Sequence, residues 1–296
     1  MGWNKLKVFH AVADAGSFTR AGDALGLSQS AVSRQISSLE AELGVTLFHR
    51  HARGLERTEQ GETLYRSAHE VSAKLAMTEA VLSDTRDKAR GRLKITTTVG
   101  FDSTWLTPRI GEFLDRYPDM TVDLLLDDRL LDLGMREADI AIRTKDSTQS
   151  DLVQRKLLTV HNHLYASPGY LRAHGTPQGI QDLGQHRLIV YGEDSAPPVR
   201  DINWILTMAR RAGLDLEPVL RVNNVYGLLL AAESGVGVAA LPDYMVPSNR
   251  RVVRVLPDVE GKAYDAFFVY PDELRKSKRI SVFRDFLLNQ VAGWRF

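Results

Sequence analysis

The sequence predicts three consecutive parts: an all-α head built round a helix-turn-helix, one long helix, and a two-lobed α/β domain. Three patterns predict it. Apolar residues recur at helical spacing through residues 1–58 and break at glycines; after Thr58 they recur at alternating spacings of four and three; and from Leu93 onward short apolar strands alternate with amphipathic helices.

Composition sets the bounds. With 296 residues, 44% of them hydrophobic, the chain can bury a core in each of two or three units. No apolar run reaches bilayer-spanning length, and the first residues lack the basic-then-apolar order of a signal peptide, so a cytoplasmic location without membrane contact is expected. The absence of cysteine excludes disulfides, thiolate metal ligands, a cysteine nucleophile and a thiol redox switch. A net charge of +1 decides nothing about a nucleic-acid partner, so the local pattern has to be read.

A first helix carries the stripe Leu6, Phe9, His10, Val12 and Ala13 and stops at Gly16. Ser17 caps a short second helix that buries Phe18, Ala21, Ala24 and Leu25 before Gly26 breaks it. Ser28 caps a third, on which Ala31, Val32, Ile36, Leu39 and Leu43 share the buried face. The rest of that third helix is polar, with Gln29, Ser30, Ser33, Arg34 and Gln35 near its start. An ordinary solvated face would carry Lys and Glu for propensity, whereas serines are poor helix material and need another reason to be there. Two helices joined by a tight glycine turn, the second offering hydroxyls, amides and one guanidinium, suit a major groove, where Gln reads adenine edges and Arg a guanine edge or a phosphate.

The stretch "FHAVADAGSFTRAGDALGLSQSAVSRQISSLEAELGVTLFHR" resembles the winged helix-turn-helix of LysR-type transcriptional regulators. "RTEQGETL", "LYASPGYLRAHGTP" and "AAESGVGVAALPDYMV" extend the resemblance over nearly the whole chain. It implies a wing over Phe48 to Thr58 with Arg50, His51, Arg53 and Arg57 on a short hairpin. Arg50 and Arg53 are expected either in a narrow minor groove or on phosphates alone. The DNA contacts expected are thus Ser28, Gln29, Ser30, Ser33, Arg34, Gln35, Arg50 and Arg53. The resemblance further implies double-stranded DNA, a small-molecule effector and RNA polymerase as partners, and assembly as a homodimer or homotetramer on a pseudo-palindromic promoter site.

Leu64, Ala68, Val71, Leu75, Thr78 and Leu82 form a thin coiled-coil seam on the long helix, with Glu62, Arg66, Glu70, Lys74 and Glu79 outside it. The seam points to pairing with a second copy; packing of this helix against its own chain is the other reading.

"DKARGRLKI" ends the long helix in a charged linker. Strand Leu93 to Thr97, a helix with Trp105, Leu106, Ile110, Phe113 and Leu114, strand Val122 to Leu126, a helix Leu130 to Met135 and the strand "ADIAIR" follow. A second set has strands near Leu188 to Tyr191, Val219 to Val222 and Val238 to Leu241; the chain returns at Ala266 to Tyr270 and ends in a helix around Phe283 to Val291. Two α/β lobes joined by two crossings describe the periplasmic-binding-protein type of fold. The expected boundaries are 1–58 for the DNA-binding head, 59–90 for the dimerisation helix and 91–296 for the effector domain, with lobe I at about 91–161 and 268–296 and lobe II at about 162–267.

Ligands in such a fold sit between the lobes, at the carboxyl ends of strands and near helix N-termini. The strand exits nominate Thr98, Gly100, Phe101 and Ser103 in one lobe and Asn224 and Tyr226 in the other. The resemblance adds Arg143 and the crossing His161 to Tyr165 along the wall. Helix N-termini and Arg143 favour a small anionic metabolite; Asp102, if it faced inward, would favour a polar neutral one. Ser103 is read as ligand contact, N-cap, or both.

No enzyme is expected. Gly235-Val-Gly237 lies where a helix enters a strand, the reverse of dinucleotide-binding order, and no G-x-S-x-G occurs. No cofactor and no metal site are expected, His161 and His163 reading as residues of one strand face. The alternative is a solute-binding module with a vestigial DNA-binding head.

Overall fold

A computed structural model describes residues 2–51, 54–83, 88–128, 133, 137–144, 151–192, 197–247 and 251–293. The chain divides into two compact units, a smaller one centred on residues 1–83 and a larger one formed by residues 84–133 and 137–296. No helix among the described residues is long and apolar enough to cross a membrane.

The smaller unit begins with α1 (Trp3–Ala15), α2 (Phe18–Leu25) and α3 (Gln29–Leu43). Gly16, Gly26 and Gly44 end them at φ of 59°, 64° and 69°, the left-handed conformation that glycine adopts without steric cost. Ser17 and Ser28 cap α2 and α3, accepting from Arg20 N (3.4 Å) and Ala31 N (3.2 Å). Phe9, Val12, Ala21, Val32, Ile36 and Leu39 fill the core. Two expected core positions are exposed, Ala24 and, on the last turn of α3, Leu43 (39%), while His10, Phe18, Leu25 and Ala31 are half-buried. Gly22 takes the inner face of α2 instead, because the returning chain leaves no room there: a Cβ would lie 2.6 Å from the Leu27 carbonyl oxygen.

β1 (Phe48–His51) and β2 (Gly54–Arg57) pair antiparallel, Phe48 opposite Arg57, as the wing. Its tip, including Arg53, lies outside the described residues. α4 (Glu59–Ser83) starts from a tight joint. The Thr58 hydroxyl accepts from Gly61 N (2.9 Å) and donates to the Thr46 carbonyl (2.7 Å), and Glu40 accepts from Leu47 N (2.8 Å). The seam expected on α4 divides. Ala68 is fully buried and Leu64 packs against the head core, so this half serves the chain's own fold, while Val71 and Leu75 are 42% and 43% exposed.

The larger unit holds an eight-stranded sheet of order β4-β3-β5-β10-β6-β9-β7-β8. β3 (Gly91–Thr97), β4 (Met120–Leu126) and β5 (Ile140–Arg143) run parallel and form one lobe with α5 (Val99–Phe101), which continues through a π turn (Asp102–Leu106) into α6 (Thr107–Arg116). β6 (Leu152–Ala166) leads to α7 (Pro168–His174), β7 (Leu188–Tyr191), α8 (Trp204–Arg211), β8 (Leu220–Val222), α9 (Val225–Glu233) and β9 (Val238–Pro242). In this second lobe β7 is parallel to β8 and β9. β10 (Val253–Pro271) returns along both lobes, and α10 (Lys278–Ala292) closes the first, where Phe283 meets Phe113 edge-on at 5.1 Å.

The parallel sets match the expected lobes, but the sheet is mixed: β6 is antiparallel to β9 and β10, and β10 to β5. The length of β6 and the first half of β10 are not foreshadowed by the apolar pattern. The helix expected over Leu130 to Met135 falls largely outside the described residues.

Gly61 carries the tightest contact of the smaller unit: a Cβ there would stand 2.1 Å from the Leu47 carbonyl oxygen. Backbone must move to admit it. Gly61→Ala is therefore expected to destabilise the head by about 1–3 kcal/mol, read as a lower urea midpoint of its unfolding transition; an unchanged midpoint would show that the joint yields freely.

Candidate nucleic-acid interface and inter-lobe cavity

The first turn of α3 presents its polar groups outward because Val32, Ile36 and Leu39 anchor the other side. Gln29, Ser30 and Arg34 are exposed; Ser33 and Gln35 are half-buried at the flanks. Ser28 is engaged in the cap, and its hydroxyl also lies 3.1 Å from that of Ser30. The three exposed groups thus form a strip of amide, hydroxyl and guanidinium at a helix N-terminus, where unpaired N–H groups add positive potential.

On the wing, Arg50 stands in β1, opposite Leu55. Arg57 does not project from the hairpin as expected. Its Nε donates to Glu62 (2.7 Å), its Nη1 donates to the Ala13 carbonyl (2.9 Å), and its guanidinium lies 4.3 Å from the Tyr65 ring centroid, so it ties wing, α1 and α4 together.

Between the lobes of the larger unit lies a cavity of about 910 Å³, within the range that holds small molecules. Both helix starts approach it. Thr98 caps α5, Gly100 presents its bare backbone, and Val225 opens α9; a Cβ on Gly100 would meet the Val225 Cβ at 3.4 Å. Thr98, Tyr244 and Tyr264 all line this cavity. Burial raises both phenols above their ordinary values, which keeps them protonated.

Of the residues nominated from sequence, Thr98 and Gly100 line this cavity, and Phe101, Ser103, Arg143, Asn224 and Tyr226 do not. Phe101 stacks on Trp105 at 4.9 Å. Ser103 sits inside the π turn, and the cap belongs to Thr98. Asn224 spends its side-chain oxygen on capping α9, accepting from Gly227 N at 3.1 Å. Arg143 is buried and points away, donating to the Asp127 carbonyl (3.0 Å) and the Thr96 hydroxyl (2.7 Å). Burial lowers its pKa, and Asp127 and Asp128 oppose that shift.

Strand alternation explains where the expected wall went. Successive side chains of a strand face opposite sides; Arg143, the last residue of β5, turns inward to its own lobe, and Thr144, just beyond the strand end, lines the cavity. Likewise His163 turns to Asp243 (2.7 Å) and Glu260 (3.3 Å), and Asn162 faces the cavity. Trp204, Lys262 and Tyr264 were not anticipated: they come from segments whose apolar pattern names no strand exit. Asp102 also leaves the site, 2% exposed and accepting from the Thr107 hydroxyl at 2.6 Å, so it does not repel an anion there.

A model described as "Bacterial regulatory helix-turn-helix protein, lysR family" matches residues 3–62, and one described as "LysR substrate binding domain" matches residues 86–292. The chain is 29% identical over 293 residues to the HTH-type transcriptional regulator CrgA of Neisseria meningitidis serogroup C, covering 98% of this chain and 97% of that protein. It is 32% identical over 300 residues to the HTH-type transcriptional regulator PtxR of Pseudomonas aeruginosa, covering 98% and 93%. The solved structure of CrgA from Neisseria meningitidis matches with a TM-score of 0.60 at 28% identity, covering 99% of this chain and all of that one.

Burial raises the Asp102 carboxyl above its ordinary value, and the Thr107 hydrogen bond pulls the other way. A folded-state value above the unfolded one means that the folded chain keeps a proton the unfolded chain has released. Stability then falls as pH rises through the window that opens at the ordinary carboxylate value. Asp102→Asn has no such titration, so its melting temperature relative to wild type is expected to climb as pH rises above the ordinary carboxylate value of about 4. Parallel calorimetric scans check this; an offset independent of pH would contradict it.

Proposed function

Because the chain belongs to the LysR family of transcriptional regulators, we propose that it docks α3 in the major groove of double-stranded DNA. Two copies read the halves of a pseudo-palindromic promoter site, and a small polar metabolite in the inter-lobe cavity controls the outcome at RNA polymerase. The observation that carries the DNA reading is the exposed strip Gln29, Ser30 and Arg34 on a helix rigidly anchored by its other face. That intact strip weighs against a solute-binding module with a vestigial head. Ser28, Ser33, Gln35, Arg50 and Arg53 are proposed as flanking groove and phosphate contacts. Exposed Val71 and Leu75 on α4 support pairing of two copies through the outer half of that helix.

The effector is proposed to bear an anionic group: Arg200 and Lys262 line the cavity, which also borders the starts of α5 and α9. Asp201 and Asp265 line it too, and they favour a neutral, hydroxyl-rich ligand as the second reading. Tyr264 and Asn162 serve either one as hydrogen-bonding partners.

Arg34→Ala is expected to weaken binding to the promoter site by about 1–3 kcal/mol while leaving the fold unchanged. Nuclease footprinting upstream of the chain's own gene, followed by titration of the variant, checks this. A full-length footprint with wild-type affinity and salt slope would remove α3 from the interface. For the cavity, Asn162→Ala and Tyr264→Phe should each cost about 0.5–1.5 kcal/mol of effector affinity and leave ligand-free DNA binding as it was. Effector found by thermal-shift screening supplies the ligand, and a double variant with normal response would move the site elsewhere.

A further inference from the structure

The contact between α1 and α4 carries a group of side chains that DNA recognition leaves unused. His10 and Asp14 stand one turn apart on α1; Tyr65 and His69 stand one turn apart on α4. His10 Nε2 lies 2.9 Å from His69 Nδ1, and His10 Nδ1 lies 3.4 Å from a carboxylate oxygen of Asp14. One ligating atom from each of His10, Asp14 and His69 falls within 4.8 Å of the other two. The rings are packed together, His10 against Tyr65 at 5.6 Å and Tyr65 against His69 at 5.5 Å, so their positions are held by both helices.

Two imidazole nitrogens facing each other at hydrogen-bond distance must share one proton, one ring offering a lone pair and the other an N–H. A divalent cation in place of that proton converts both lone pairs to ligands. The ligand–ligand distance in a tetrahedral site with bonds of about 2.0–2.1 Å is about 3.3 Å, so the two nitrogens need only a small separation, while the Asp14 carboxylate, which meets the opposite ring nitrogen of His10, has to swing about its side chain to reach the ion. The surroundings fit as well. The Tyr65 hydroxyl donates to Asp14 Oδ1 at 2.6 Å and orients the carboxylate. The Arg57 cation beside Tyr65 is paired with Glu62 at 2.7 Å. His10 and His69 are half-buried and Asp14 is exposed, which leaves water a route to an open position.

We propose that His10, Asp14 and His69 bind one divalent transition-metal ion and so clasp α1 to the first turns of α4. Two nitrogens and one carboxylate select zinc, nickel, cobalt or copper over magnesium or calcium, which take oxygen ligands. The ion joins the helix that begins the head to the helix that leaves it, and thereby stiffens the frame on which α3 is mounted.

The test uses the full chain, freed of metal by a chelator that is then removed by dialysis, and titrated with Zn²⁺ alone against a chromophoric indicator. One ion per chain is expected, along with a rise in melting temperature and, with Co²⁺, visible absorption bands. His10→Ala and His69→Ala should weaken binding by more than the about 10- to 100-fold typical of an outer-shell partner and abolish the melting shift. Should either alanine variant unfold, His10→Gln and His69→Gln keep a polar side chain of similar reach and replace it. Changing His49 and His51 to alanine, the other histidine pair of the same unit with rings 5.8 Å apart, should leave binding as it was. Magnesium in excess should not displace zinc. No indicator competition by wild type, equal binding by the His10 and His69 variants, or loss of binding only when His49 and His51 are changed would each overturn the proposal.

Discussion

Both lobes of the larger unit hang on the ladder between β6 and β10, which opens at Val253 opposite Ala166 and closes at Pro271 opposite Leu152. A flat ladder of that length would make one slab. Register shifts between Val255 and Glu260 and between Gly261 and Tyr264 bend it instead, and a bulge leaves extra residues unpaired and re-aims their side chains. Leu256, at a φ of 48°, sits within the first shift, where a side-chain-bearing residue accepts a left-handed backbone only because its surroundings impose it. The second shift releases Lys262 and Ala263 to the cavity wall, and Tyr264, where pairing resumes opposite Val160, lines it as well. Gly261 at its edge lets the Trp204 ring come within 2.7 Å of where a Cβ would be. The cavity thus lies along the strand pairing that holds the lobes together, and Lys262 reaches its wall from a place where that pairing is interrupted.

The smaller unit depends on a comparable constraint at shorter range. Thr58, Gly61, Glu40 and the Leu47 backbone lock the start of α4 to the chain entering the wing, and Ala68 sinks the second turn beyond it into the head core. The same helix then emerges with Val71 and Leu75 uncovered. One helix therefore changes partner along its length, from its own head to whatever covers its outer half.

Local signals made most of the elements legible. Ser17 and Ser28 mark helix starts, Gly16, Gly26 and Gly44 mark ends, and the strand Leu188 to Tyr191 is apolar because it is covered on both faces. What escaped the sequence has physical causes. β6 and β10 pass between lobes and past a polar cavity, so their pattern loses its period at the bulges. Ala24 and Leu43 fit a helical stripe but lie where no neighbour covers them. The exposed polar face of α3 could be read because a helix shows its exposed side in four residues. The cavity could only be approached: the strand exits located Thr98 and Gly100, but a one-residue choice of strand face decides between Arg143 and Thr144 and between His163 and Asn162, and local periodicity does not resolve it. His10 and His69 are 59 positions apart, beyond the reach of any spacing rule.

The choice of face along β6, and at the end of β5, divides labour in a way that matters for how such a domain can diversify. Arg143 and His163 point to the scaffold and satisfy buried partners, while their immediate neighbours Thr144 and Asn162 face the open volume. Selection, or a protein engineer building a biosensor, can exchange Asn162 with little effect on His163, so ligand preference is free to drift there at constant stability; Thr144 is less free, because its hydroxyl donates to the Pro198 carbonyl at 2.8 Å. Insertions and deletions have no such freedom: a single residue gained or lost in β6 would swap the two roles at once, putting His163 in the cavity and taking it from its partner Asp243.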